Sequence, residues 1–419
     1  MAGLSRRRVL ARAGLAAGAL ALGGARTESA EGAPNLRDWG SVRSQFSLDR
    51  SRIHLTSFLL ATHPRAVGDA IEVHRRALDS NPVEYLRGPG DGLSGAAREA
   101  AARFLGVPSS EVALTDSTTM GLGLLYTRLA LDPGDEVVTT EHDFYATHEA
   151  LRLSGVRVRR IRLYDDARQA SEDEIVDRVR RAVTGRTRLV ALTWVHSATG
   201  VRLPVRAIAR ALPERVLVCL DGVHGLGARA ENVRDLGCDA FVSGCHKWLY
   251  GPRGTGLLWA NERVRRLMRP TIPSFDGSSY GAWVAGGART GTPDGPTLTP
   301  GGFKPYEHLW ALPEAFAFQH GIGRERVEAR VRGLASRLKA QLAEVKGVRL
   351  RTPQSPGLSA GLVCFEVAGR EPAEVVRRLA GRGIVGSVTP YASRYVRLGP
   401  GIVNTPEHVD AAARVIRSL

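Results

Sequence analysis

Apolar and polar positions follow two rhythms along this chain. Short continuous apolar runs, rich in β-branched residues, recur at 112–115, 136–140, 156–163, 188–195, 216–220, 240–242 and 256–259. Between most of them the apolar positions fall at helical spacing, as at 174–183 and 205–212. A run that is apolar throughout reads as a strand buried on both faces. Such strands alternating with helices make a mostly parallel sheet covered on both sides. From about residue 306 the rhythm changes. Helical patterns at 306–319 and 324–344 precede short strands at 348–351, 361–367, 383–388 and 395–398. The expected fold is α/β: a large domain at 66–305 built on a mostly parallel seven-stranded sheet, and a small C-terminal α+β domain at 306–419. Within 34–65, the polar stretch to about Ser51 reads as a linker plus an N-terminal helix, and 53–64 as a segment leading into a helix at 66–78.

The first 33 residues follow neither rhythm. Arg6, Arg7 and Arg8 precede an apolar stretch at 13–22, and small residues lead on to Ala25, Ala30 and Ala33. A charged start, a short apolar stretch and a small-residue cleavage zone make an export signal. Paired arginines before a modest apolar core resemble the twin-arginine type. The stretch is short of the ~20 apolar residues a stable membrane span needs. The expectation is a protein exported by the twin-arginine machinery, periplasmic or extracellular, with no stable membrane span.

Composition adds little to this picture. The formal charge is +16, and of 58 basic residues four are lysines, which leaves 54 arginines. They are scattered, with no aromatic-interleaved basic stripe, so a nucleic-acid partner is not expected. The four cysteines, Cys219, Cys238, Cys245 and Cys364, include no CxxC pair, and no metal site is expected.

Four segments carry chemistry. The strongest is Gly244 to Gly256, with His246, Lys247 and Trp248 at the end of one expected strand and a glycine-rich turn before the next. An amine flanked there by bulky apolar groups is desolvated, which lowers its pKa and favours imine formation with an aldehyde. The second is Asp221, ending an apolar strand, with His224 three residues on. At the carboxyl edge of an α/β sheet, such an Asp can hold a pyridine nitrogen protonated by a charge-assisted hydrogen bond. His224 can reach the phenolic oxygen of the same ring. The third is Ser117, Thr118 and Thr119 between a strand and a helix, where hydroxyls and free amides seat a phosphate. The fourth holds His142 and Phe144, either of which can lie flat over an aromatic ring.

In order and spacing these segments together resemble the class V aminotransferase family, from about Ile53 to the C-terminus. The family comprises fold type I enzymes that use pyridoxal 5'-phosphate (PLP), among them isopenicillin N epimerase, kynureninase and the cysteine desulfurases. The resemblance implies that Lys247 holds PLP as a Schiff base and that Asp221 partners the pyridinium. His224 takes the place where desulfurases have Gln. Thr118 and Thr119 look like phosphate ligands, with His246 assisting. Phe144 matches the stacking aromatic of kynureninase-like members, and His142 the stacking histidine of desulfurases. Arg397 stands where the family grips the substrate carboxylate. The resemblance also implies a homodimer acting on a small amino-acid-like substrate.

Several positions depart from the family pattern. Ser197 replaces the usual Asn that reaches the phenolic oxygen. Gly244 stands three before the lysine where Ser is usual, and Thr299 to Gly302 replace the Gly-Thr that reaches the partner's phosphate. A desulfurase needs a mobile cysteine, and 383–397 contains none. The expected reaction is therefore epimerase-like or transaminase chemistry at Cα. Lyase chemistry, or an inactive binding protein of the same fold, are the alternatives.

Overall fold

Each of the seven apolar runs forms a strand. In chain order they are β1 (Val112–Thr115), β2 (Glu136–Thr140), β3 (Arg157–Ile161), β4 (Thr187–Thr193), β5 (Leu217–Asp221), β6 (Ala240–Gly244) and β7 (Gly256–Ala260). The structure is a computed structural model that describes residues 34–419. The expected export signal lies outside the described residues. The seven strands form one sheet in the order β1-β7-β6-β5-β4-β2-β3. All pairings are parallel except those of β7, which runs antiparallel to both β1 and β6.

Period-two geometry explains why the central strands are apolar along most of their length. Along β4, Leu189 and Ala191 enter one core while Val190 and Leu192 enter the other. Leu217 and Cys219 of β5 face the first core, and Val218 and Leu220 the second. Both faces of these central strands are covered, which favours apolar side chains, whereas the edge strand β3 carries the exposed Arg157 and Arg160. Each fully buried Leu or Val here contributes ~1.5–3 kcal/mol relative to exposure. A charge at Leu189 would lose that and leave an unpaired ion inside.

Helices cover both faces. Those that set the site are α1 (Arg65–Ser80), α2 (Gly90–Leu105), α3 (Thr118–Tyr126), α4 (Leu312–Ile322), α5 (Arg324–Ala343) and α6 (Pro406–Arg417). The single helix expected at 306–319 is divided. A short helix, Tyr306–Trp310, ends at Ala311, and α4 restarts with Pro313 in its first turn. Proline lacks the N–H that continues a helix but suits the start of one. Within α4, Leu312, Ala315, Phe316 and Ile322 are buried in the main core, where Phe316 meets Phe104 of α2 at 5.0 Å. The following helix is shared: Val327 and Val331 of α5 enter the main core, while Leu334, Leu338 and Leu342 enter a separate C-terminal core.

That C-terminal core lies against a four-stranded antiparallel sheet. Its strands β8 (Val348–Leu350), β9 (Val363–Val367), β10 (Ser387–Val388) and β11 (Val396–Leu398) are ordered β10-β11-β9-β8. Helix α6 packs on the same core through Val409, Ala412, Ala413 and Ile416. The lead-in segment is no loose linker. Ile53 and His54 pair in parallel with Ile384 and Val385. Further on, the Ala61 amide donates to the His246 carbonyl (2.9 Å). The segment thus runs from the small sheet to the turn that carries Lys247. Among the described residues, no helix is long and apolar enough to cross a membrane.

Candidate active site

The carboxyl ends of β4, β5 and β6 lie side by side, with Thr193 opposite Asp221 and Asp221 opposite Val242. Edges of this kind open onto ligand crevices in α/β sheets. Here they open onto a cleft with about 700 Å³ of empty space. Ten of the eleven residues singled out from the sequence line it: Ser117, Thr118, Thr119, Phe144, Ser197, Asp221, His224, His246, Lys247 and Arg397.

Lys247 follows β6 in a turn whose next three residues, Trp248, Leu249 and Tyr250, are each 1% exposed. The turn is tightly specified. Tyr250 sits at φ 60°, the left-handed region that a bulky residue rarely adopts. Its amide donates to the Lys247 carbonyl (2.9 Å) and its hydroxyl to Ser57 (3.2 Å). Gln319 of α4 donates to the Trp248 carbonyl (2.8 Å). Burial lowers the Lys247 amine to about 8. Asp221 opposes that shift, and Arg397 adds to it.

Asp221 is 2% exposed and accepts from the Val223 amide (3.0 Å). Burial raises its carboxyl to about 6, against the amide and the Lys247 charge. His224 is buried with an unpartnered Nδ1. Burial, together with the cations Lys247, Arg397 and His246, holds it far below the usual imidazole range. A buried polar atom without a partner is costly and marks a place for a ligand atom.

At the start of α3 the Ser117 hydroxyl is spent on structure. It accepts from the Met120 amide (3.1 Å) as the helix cap and donates to Asp116 (2.6 Å). The Thr118 hydroxyl accepts from the Gly244 amide (2.8 Å), which ties the helix start to β6. The remaining anion-binding groups are the first-turn amides of α3 and the hydroxyl protons of Thr118 and Thr119. His246, lowered by burial, joins them as a neutral ring.

The sequence left His142 and Phe144 undivided, and the structure separates them. Phe144 lines the cleft. His142 instead stacks on Tyr164, with ring centroids 4.1 Å apart at 13°, and accepts from the Leu163 amide (3.3 Å). Tyr164 in turn meets His196 Nδ1 (2.8 Å) and the Thr199 hydroxyl (2.8 Å). Burial takes both His142 and His196 down to about 3. Between the two aromatics lies Asp143, which accepts from the Thr139 hydroxyl (2.8 Å) and the amides of Thr140 and Thr193 (2.7 Å each). It clamps the ends of β2 and β4 together.

Arg397, on β11, is 3% exposed. Its guanidinium donates to the Ser197 hydroxyl, the Ser197 carbonyl (3.3 Å) and the Ser387 hydroxyl (3.1 Å). Its central carbon lies 4.5 Å from the Phe58 ring centroid. Among the described residues it pairs with no carboxylate. Ser197 therefore serves Arg397 directly. Sequence reasoning missed Phe58, Leu59, Thr193 and Pro390, which also line the cleft. None belongs to a recognisable motif. The strand end at Thr193 was the one available signal. All four cysteines are buried and free, and burial pushes the Cys245 and Cys364 thiols up to about 12.

Comparison with known proteins agrees with this geometry. The profile of the family described as "Aminotransferase class-V" matches residues 91–411. The isopenicillin N epimerase of Amycolatopsis lactamdurans is 28% identical over 395 residues, 91% of this chain and 98% of that enzyme. A probable cysteine desulfurase of Halalkalibacterium halodurans is 26% identical over 390 residues, 86% of this chain and 91% of the relative. A solved structure of C-DES, with glycine covalently linked to its PLP cofactor, matches with a TM-score of 0.80 at 21% identity. It covers 89% of this chain and 98% of that one.

Proposed function

The chain belongs to the class V aminotransferase family, whose fold is that of PLP-dependent enzymes, and we propose that it acts at Cα of an amino acid or amino-acid-containing small molecule, by epimerase-like or transaminase chemistry. One observation carries this reading. A desolvated lysine, a buried carboxylate and an arginine lacking a carboxylate partner line a single cleft.

The residues present fit PLP. The neutral fraction of the Lys247 amine suits it to bind an aldehyde carbon. Asp221 is placed to keep a ring nitrogen protonated, and the unpartnered His224 Nδ1 to meet the ring's oxygen. The start of α3 provides the phosphate seat. Bound PLP supplies an electron sink for charge left when a bond at Cα breaks. The protein supplies the rest. Arg397 binds the substrate carboxylate and so fixes which bond at Cα faces Lys247. Lys247, once freed by the incoming amine, takes the Cα proton as general base. Its low pKa makes it a base near neutral pH. Where the proton is then returned decides between epimerisation and transamination.

The likeness to isopenicillin N epimerase spans nearly all of that enzyme and favours the epimerase-like branch. The desulfurase branch is disfavoured because Cys245 and Cys364 are buried with raised pKa values, and thiolate chemistry needs the opposite. Incubation with amino-acid pools in heavy water tests all branches. Deuterium at Cα without keto acid means epimerisation, keto acid means transamination, and sulfide from cysteine would reinstate the desulfurase. The protein should show a visible absorbance band that Lys247→Ala abolishes. A colourless protein that cannot be reconstituted would instead be a binding protein.

The same proposal includes a homodimer and export. Phe275 (67% exposed), Tyr280 (59%) and Trp283 (68%) line one surface depression and offer an apolar surface suited to a second copy. The arginine-led N-terminus supports twin-arginine export of the folded protein. Loss of export on replacing Arg6, Arg7 and Arg8 with Lys tests that part.

A further inference from the structure

With the groups that fit PLP set aside, the cleft wall is mostly apolar, its neutral polar groups being the hydroxyls of Thr193 and Ser197. Phe58 is fully buried, Leu59 is 53% exposed at the mouth, and Pro390 lies in the loop before β11. Among the described residues one cation remains there, Arg397. It donates to serine oxygens and its face rests on Phe58. One guanidinium matches one carboxylate. Among the described residues of this chain, no other charged side chain lines this part of the cleft to receive a second ionic group. The Tyr391 hydroxyl, buried beside Ser197, is held neutral by burial and brings no charge.

We infer that the cleft selects an α-amino acid with an uncharged, apolar side chain, held by its carboxylate on Arg397 and by its side chain against Phe58, Leu59 and Pro390. The inference rests on the reading that the substrate is amino-acid-like. A side-chain carboxylate placed against Phe58 and Pro390 would lose its water and gain no partner. A side-chain ammonium would in addition share the cleft with the like charge of Arg397. An apolar side chain leaves water for a wall of its own kind. Exposure of Leu59 leaves room for a longer chain to continue past the mouth.

The test is a titration of the PLP-loaded protein, followed through its visible absorbance. The probes are norvaline, norleucine and phenylalanine against aspartate, glutamate and lysine, each in both hands. The apolar set should reach half-maximal change at concentrations at least about tenfold lower. A charged amino acid acting at equal or lower concentration overturns the inference and leaves the amino-acid reading standing. If no amino acid moves the band, that reading falls and the selectivity falls with it. Leu59→Arg, at an exposed position, should narrow the gap between glutamate and norleucine about tenfold. An unchanged gap would remove the side chain from Leu59.

Discussion

At the scale of single residues, the site is governed by burial working on a few ionisable groups. Lys247, lowered to about 8, is largely neutral just above that pH, and Asp221, raised to about 6, is ionised above that value. Capture of PLP by cofactor-free protein should therefore quicken with pH and level off above about 8. Stopped-flow growth of the visible band across a pH series measures this, and a midpoint near 10 would mean a lysine in ordinary water. His142 and His196 make a second case. Their rings stay neutral in the folded protein down to about 3, whereas unfolded histidine protonates near 6.5. Between those values the unfolded chain binds more protons. Stability should thus fall as pH is lowered through that window, by up to ~1.4 kcal/mol per pH unit for each ring. Urea unfolding at pH 7 and pH 5 should show the loss, and His196→Asn should lessen it. The two ends of legibility also meet at this scale. Lys247 and Asp221 were readable because each ends a strand whose pattern is local. The fate of His142 was not, because it is decided by Tyr164, twenty-two positions away, whose ring is turned toward it by His196 and Thr199.

Elements hold these residues through close approaches that only glycine permits. A Cβ on Gly222 would lie 2.0 Å from the Phe241 ring, and one on Gly225 at the same distance from Trp194. Both glycines sit within the turn that carries Asp221 and His224. Gly222→Ala should cost ~1–3 kcal/mol by thermal or urea unfolding, with weaker PLP binding because Asp221 moves with the strand end. The central strands were legible because a sheet covered on both faces leaves apolar runs, while the edge strand β3 alternates Arg157, Arg159 and Arg160 with Val158 and Ile161. Helix α2 was not, because its glycines and alanines mute the contrast between its faces. The break at Ala311 was announced only by Pro313. The pairing of the lead-in segment was not legible because two-residue strands leave almost no pattern, and its partners lie over three hundred residues downstream.

For the whole molecule, two cores joined by α5 make one compact unit from Asn35 to Leu419. If the apolar surface around Trp283 meets a second copy, Trp283→Glu should shift sedimentation from dimer to monomer while leaving the unfolding midpoint of the monomer close to unchanged. An unchanged sedimentation coefficient would discard that surface as the interface.

The left-handed backbone at Tyr250 has a consequence for the order of events in the cell. It is propped by Ser57 on a segment that pairs with Ile384 and Val385 and also meets the His246 carbonyl. The earliest-made part of the described chain therefore waits for nearly the latest-made part before the reactive amine is set. A nascent chain still short of residue 385 has no finished trap for an aldehyde, so loading with PLP belongs after release from the ribosome. Any step that carries a filled enzyme out of the cytoplasm must come later still.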